Sequence, residues 1–581
     1  MYRPVLDAVS GSLALTALAA MLPLLTLFIL LGVLKMTAWK AALISLVISM
    51  AVAIFAYSMP VGQAVLAMTE GAAFGFFPIL FIVISAIWIY NMTVKTGYSD
   101  VLRRSFARIS DDKRIQAVIV AFCFGGLLEA LAGFGTPVAI TSVMLMGLGF
   151  KPIKAAVVAL LANTAPVAFG ALAIPIITLA KVSNQSPPIP GWEQHLASIV
   201  GRQTPLLAVF VPMCLVFVID RWKGVKETLP ATLTCGIVFA VAQFVFSNYI
   251  SFPLTDIASA LLGAASIVVV LRFWQPAETY VESVDADEIA LGASTPALAG
   301  ATVGSSGSGS GSTGAHHLTL AEEYAVEDKG KHDSSSEVFK AYSPYIIIIV
   351  VFSLAALITP LKTWLASTTF SFQWPGLELL TAGGKASSIP KFTVNWLAGG
   401  GSLLLISGIL SIPVIGISLA KAFKAYLSTY VQLKWAIITV MAVLGLAYVM
   451  NASGQTATLG LWLAGAGAAF ALLSPILGWL GVAVTGSDTS SNALFGALQY
   501  SAAGKAGLEP ALMVAANSSG GVLGKMVSPQ NLAIAAAAVG MSGKEGDIFR
   551  KVIVWSLGLL VVMMVIVFLQ SNVLAWMLPS L

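Results

Sequence analysis

The sequence predicts an all-α polytopic membrane protein, with about twelve transmembrane helices plus two re-entrant hairpins, arranged as an inverted-repeat transporter with broken helices. Three observations predict it. The 581 residues are 58% hydrophobic and only 10% charged, and the mean hydropathy is +0.91, far above that of a soluble domain. Apolar runs of about twenty residues, enough to cross a core of roughly 30 Å, recur along the chain. Two Gly/Pro-interrupted stretches repeat one spacing. Asn163, Gly170 and Pro175 in NTAPVAFGALAIP return as Asn517, Gly524 and Pro529 in NSSGGVLGKMVSP, seven residues from Asn to Gly and twelve from Asn to Pro in both copies.

The spanning runs start near positions 12, 41, 72, 155, 205, 229, 256, 343, 395, 433, 510 and 551. The first, 12–34, follows Arg3 and Asp7 rather than a basic cluster and outlasts a signal-peptide core, so it is expected to stay as a helix. Two further stretches, about 115–149 and 474–503, are apolar but cut by glycines and polar residues, and read as hairpins. Each carries one carboxylate, Glu129 in GGLLEALAGFGTP and Asp488 in TGSDTSSN. Each runs to a Gly/Pro turn, at 149–152 and 507–510, and then into a repeat stretch.

Charge orients the crossings. Lys35 and Lys40, the run from Lys95 through Arg103, Arg104, Arg108, Lys113 and Arg114, then Lys151 with Lys154, fall on one side only if 115–149 returns to the side it left. Arg221, Lys223 and Lys226, then Lys421 with Lys424, and Lys544 with Arg550 and Lys551, fall on that side too, which is cytoplasmic by the positive-inside rule. Both termini are then outside, and the broken helices run in opposite senses, as inverted repeats do. Residues 277–340 are acidic, then GSSGSGSGSTG at 304–314, then mixed in charge. They read as a flexible cytoplasmic linker between an N-terminal membrane half, 1–276, and a C-terminal half, 341–581.

Composition narrows the chemistry. The net charge of +5 gathers in loops and calls for no nucleic acid. Cys123, Cys214 and Cys235 lie in apolar runs and read as small buried hydrophobes. His195, His316, His317 and His332 fall in predicted loops, so neither a histidine-ligated metal nor a mid-membrane histidine relay is expected. No phosphate-loop, dinucleotide or protease motif is present, and the serines of TGSDTSSN have no nearby His. No cofactor is implied.

Polar groups at lipid depth persist only around a cavity or a packed site. A helix that breaks inside the membrane leaves backbone N–H groups unpaired and a partial positive charge, which together bind a carboxylate. Asn163, Thr164, Asn517, Ser518 and Ser519 stand where the breaks are expected, with Pro166 and the pair Gly520 and Gly521 as the reasons to break. Ser487, Ser490, Ser491 and Asn492 surround Asp488 and join them as candidate substrate ligands. Lys525 is the one basic residue of the second broken helix, placed to meet an anionic substrate or Asp488, or to snorkel. The first copy has Ala171 there, and a single anchoring cation favours a monocarboxylate. Glu129 and Asp488 are the candidate proton carriers, since a proton crossing a bilayer needs a buried group to hold it. Arg202, at the predicted outer face, is a weaker anion contact.

At these residues the chain resembles the L-lactate permease family of bacterial proton-coupled carriers. The matching stretches are AFCFGGLLEALAGFGTPVAI at 121–140, GLGFKP at 147–152, NTAPVAFGALAIPI at 163–176, GWLGVAVTGSDTSSNALFGALQ at 478–499 and AANSSGGVLGKMVSPQNLAIAAAAVG at 515–540. The Gly/Ser tract at 304–314 departs from the family pattern. The resemblance implies uptake of L-lactate, and of the related 2-hydroxy acids D-lactate and glycolate, with protons, through a bacterial inner membrane and in contact with its lipid. It also implies an elevator motion of hairpins and broken helices, as in the broader ion-transporter superfamily. The residues themselves leave sodium coupling open, because Asn, Ser and unwound carbonyls also bind sodium. An anion channel and an intramembrane enzyme are more distant readings, and the oligomeric state is not encoded legibly.

Overall fold

The computed structural model describes residues 1–34, 36–107, 109–132, 135–183, 189–280, 333–384, 386–387, 389–541 and 544–580. The Gly/Ser tract at 304–314, His316, His317, His332, Lys35, Arg108 and Pro187 lie outside the described residues. Every predicted spanning run contains helix. Among the described residues ten helices are long and apolar enough to cross a membrane, or eleven if a pair bent by 60°, Pro152–Ala162 with Val167–Ser183, counts as one span. The predicted runs near 205 and 229 join in one stretch, Trp192–Ile250, kinked where Arg221 takes a positive φ. The run near 395 is a shorter apolar helix, Gly400–Ile415. Outside the expected all-α plan, the described residues include a two-stranded antiparallel sheet, Phe370–Gln373 with Lys391–Val394.

Both hairpins form. The first climbs through residues 113–132 and returns as Thr136–Gly147. Asp112 starts it by accepting from the backbone of Arg114 and Ile115, which relieves two otherwise unpaired helix-end donors. The second pairs Phe470–Thr485 with Asp488–Ala506. Gly486 turns the chain with φ +75, a conformation that suits glycine, and Ser487 caps the return arm by accepting from Ser490. A Cβ at Gly481 would lie 2.2 Å from Ser491 Oγ, so the arms of this hairpin touch.

The repeats cross reciprocally. The far limb of the first broken helix packs on the return arm of the second hairpin, where Gly496 meets Leu179 and Val182. The far limb of the second broken helix, Pro529–Ala538, meets the tip of the first hairpin, where Gly135 faces Ile534 and Asn531. Such an exchange is what two inverted repeats sharing one site produce.

The predicted breaks need one correction. The first helix does stop at Asn163, and then bends through Gly170 and three residues of positive φ, Ala171, Leu172 and Ala173. The second does not break at residues 517–521, which lie inside the helix Pro510–Gly524. Its break comes at Lys525–Val527 and an extended Ser528. Gly520 and Gly521 serve close packing instead, since a Cβ at Gly520 would lie 2.2 Å from Pro475 O. The irregular backbone shared by both copies is therefore the interval between the repeated Gly and Pro.

Loops expected on one side meet. Arg114 Nη1 pairs with Asp220 and Glu227 at 2.8 and 2.6 Å, and Lys154 Nζ donates to Ile219 O. Arg104 is held by Asp333 at 2.6 Å, just before the helix Ser335–Leu357, which opens on a capping box of Ser334 and Glu337. His195, expected in a loop, lies in the helix Trp192–Ala208 and stacks on Trp192.

Candidate functional site

The two repeats meet over a set of buried polar side chains. Lys525, at the break of the second helix, donates from Nζ to Glu129 Oε1 of the first hairpin at 2.6 Å. Both side chains are at least nine-tenths buried, 8% and 4% exposed. Lys525 thus neither snorkels nor pairs with Asp488, the partner considered from sequence. Gly170 closes over this pair, for a Cβ there would lie 2.9 Å from Glu129 Oε1. The break of the first helix, the break of the second and the first hairpin converge at one ion pair.

Asp488 anchors a second network. Its Oδ2 accepts from Ser518 at 2.6 Å and from Asn492 at 3.2 Å. Asn492 also donates to Pro175 O of the first broken helix and accepts from Asn517 at 2.8 Å. Gln499 donates to Asn517 and to Ser474 O. Ser519 faces elsewhere, donating to Gln203 at 2.6 Å, and Gln203 in turn donates to Gln570. Ser491 ties the hairpin arms through Gly478 O. Ser490 is buried beside the tip, where its backbone donates to Ser487.

Asn163 is the conspicuous residue of the first repeat. It is 4% exposed, and neither its Oδ1 nor its Nδ2 has a partner. Buried amides without partners are rare in folded proteins and costly, so this one is poised for a ligand or water. Thr164 bonds back to Leu161 O and, with Ala165, Thr204, Leu207 and Val522, lines a small cleft beside it. Glu129 Oε2 and Asp488 Oδ1 are likewise unpaired.

Two buried carboxylates escaped the sequence reading. Asp256, in the first turn of Thr255–Phe273, and Glu70, in Val61–Phe74, are fully buried, and none of their four oxygens has a partner. Each was visible as a lone acid in an apolar run, but neither sits in a repeat stretch. Arg202, a weaker candidate, is tied down by Asn248 and Met577 O and acts as an anchor between helices. Cys123 and Cys235 are buried free thiols with sulfurs 3.7 Å apart.

The arrangement suits exchange of one carboxylate for another at a buried ammonium, inside a shell of amides and hydroxyls. Among the described residues no group of three or more His, Cys, Asp or Glu is placed to hold a metal.

Comparison with known proteins places the chain in a family. The family model described as L-lactate permease matches residues 16–574. The glycolate permease GlcA of Escherichia coli K12 is 41% identical, covering 100% of this chain and 99% of its own. The L-lactate permeases of Bacillus subtilis and E. coli K12 are each 38% identical, over 100% and 98% of this chain and 99% and 98% of theirs. Among solved structures, Neisseria gonorrhoeae MtrF aligns over 86% of this chain and 82% of its own, with a TM-score of 0.43 and 12% identity. Alcanivorax borkumensis YdaH aligns over 88% and 89%, with a TM-score of 0.43 and 16% identity. By its sequence from end to end, this chain belongs to the L-lactate permease family and is a multi-pass membrane permease, not an enzyme.

Proposed function

We propose that this permease takes up L-lactate and related 2-hydroxymonocarboxylates, D-lactate and glycolate among them, by proton symport. The observation that carries the reading is the buried ion pair of Glu129 and Lys525 at the crossing of the two repeats. A buried ammonium is tolerable only with a counter-ion. A substrate carboxylate entering the site takes over Lys525, and Glu129, displaced and still buried, takes up a proton in place of its lost partner. Substrate binding and proton binding are then one event, because either alone leaves a charge uncompensated.

The remaining candidates fit roles around that exchange. Asn163, with both amide atoms free, suits the 2-hydroxyl or the second carboxylate oxygen. Asn492, Asn517 and Ser518 hold Asp488 and join the repeats, with Ser487, Ser490 and Ser491 fixing the hairpin tip and Ser519 linking to Gln203. Thr164 lines the adjoining cleft. Names of the relatives, glycolate permease and L-lactate permease, support the substrate class.

The energetics favour a proton. An anion entering against an inside-negative potential opposes about 2.3 kcal/mol per 100 mV, and one proton cancels that charge. Each unit of inward pH gradient then adds about 1.4 kcal/mol, a factor of about ten in accumulation.

The test is uptake of labelled L-lactate into proteoliposomes without sodium, against protein-free vesicles, with and without an inward proton gradient. Saturable, gradient-driven accumulation that excess glycolate blocks is the expected result. Uptake that appears only with sodium would replace the coupling ion, and its absence with either ion would remove the substrate assignment. In the same assay Asn163→Ala should raise the apparent substrate constant about tenfold, the worth of one buried hydrogen bond to a charged group. An unchanged constant would make Asn163 a packing residue.

A further inference from the structure

The pair of Glu129 and Lys525 has a third ionisable neighbour. Asp256 is wholly buried, and both its oxygens are unpartnered. Its helix packs on the ascending arm of the first hairpin, where a Cβ at Gly126 would lie 3.5 Å from Ala260 Cβ. Asp256 stands one turn before Ala260, and Glu129 one turn after Gly126. The charged groups that Asp256 faces are Glu129 and Lys525.

Charge counting then constrains the cluster. Two carboxylates and one ammonium sealed from water would leave one negative charge uncompensated, at a cost of several kcal/mol. One proton neutralises the set. Glu129 accepts from the Lys525 ammonium at 2.6 Å and is therefore the ionised member. The proton at rest falls to Asp256, whose oxygens meet no donor.

We propose that Asp256 stores the coupling proton and passes it to Glu129 when a substrate carboxylate takes Lys525. The inference rests on the symport reading given above. The step balances: the O–H bond of the Asp256 carboxyl breaks, an O–H bond forms on Glu129, and Asp256 is left as the anion. A proton from the loading side restores Asp256 as the substrate binds, so the cluster with its bound anion stays neutral and one proton has entered per substrate anion. Two carboxylates sharing a single proton also explain why an acid with no hydrogen-bond partner is buried in this helix.

The test compares wild type with Asp256→Asn and Asp256→Glu, each reconstituted as the full chain. Asp256→Asn should lose the about tenfold accumulation that one unit of inward pH gradient drives, while gradient-free counterflow of labelled lactate slows far less. Asp256→Glu should restore accumulation with a displaced pH profile. The substrate-induced infrared difference spectrum of wild type should show one protonated-carboxyl band gained, that of Glu129, and Asp256→Asn should abolish it. Accumulation by Asp256→Asn equal to wild type would overturn the proposal and leave the symporter standing. So would counterflow and accumulation falling together with no rescue by Asp256→Glu. Wild type that ignores the proton gradient would overturn the symport reading and this one with it.

Discussion

Lys525→Gln should raise the apparent substrate constant by about 10- to 100-fold and destabilise the protein, whereas Glu129→Gln combined with Lys525→Gln should regain the stability without regaining uptake. The two effects have separate causes. Losing a charge-assisted bond to the substrate carboxylate costs about 1.5–3 kcal/mol, which sets the loss of affinity. Removing one partner of a buried ion pair strands the other, at about 3–5 kcal/mol, which sets the loss of stability. The stranded group is Glu129, 4% exposed and closed over by Gly170. Replacing both members with amides removes the stranded charge, so stability returns, but no cation remains for the substrate. Vesicle uptake kinetics read the first effect and thermal unfolding of the purified protein the second. A single variant as stable as wild type would show that the pair is open to water. An unchanged substrate constant would remove Lys525 from the site.

Much of this arrangement was legible in the linear chain. The equal offsets of Asn163, Gly170 and Pro175 and of Asn517, Gly524 and Pro529 located both broken helices, and a lone acid between Gly-rich apolar runs located both hairpins. Pairing was not legible. Lys525 and Glu129 are 396 positions apart, and only the reciprocal crossing of the repeats brings them together. The second break was misplaced for a definable reason: glycine permits unusual backbone and close approach equally, and residues 520 and 521 use the second property. Asp256 went unnoticed because nothing in PLTDIASALLG repeats elsewhere, so its lone charge had no structural context until the helix was packed.

That close approach yields the other large effect. Gly520→Ala should disrupt the site from a distance, because helix Pro510–Gly524 lies backbone to backbone on Phe470–Thr485. A Cβ at Gly520 would sit 2.2 Å from Pro475 O, one at Gly478 1.9 Å from Asn517 O, and one at Gly524 2.3 Å from Trp479 O. None of these clashes is with a flexible side-chain end, so the helices themselves must part. Overpacking usually costs about 1–3 kcal/mol, and parting these helices also pulls Ser518 from Asp488, now 2.6 Å away, and Asn517 from Asn492. Unfolding temperature and uptake should therefore fall together. Gly504→Ala, in the return arm of the same hairpin with open space around its Cβ, is the control. It gains up to about 1 kcal/mol of helix propensity and should transport as wild type does. Equal behaviour of the two variants would mean the second hairpin slides freely on the broken helix. A larger defect at Gly520 would mean that the two move as one body, and the substrate shell would then travel with Lys525 rather than being assembled around it.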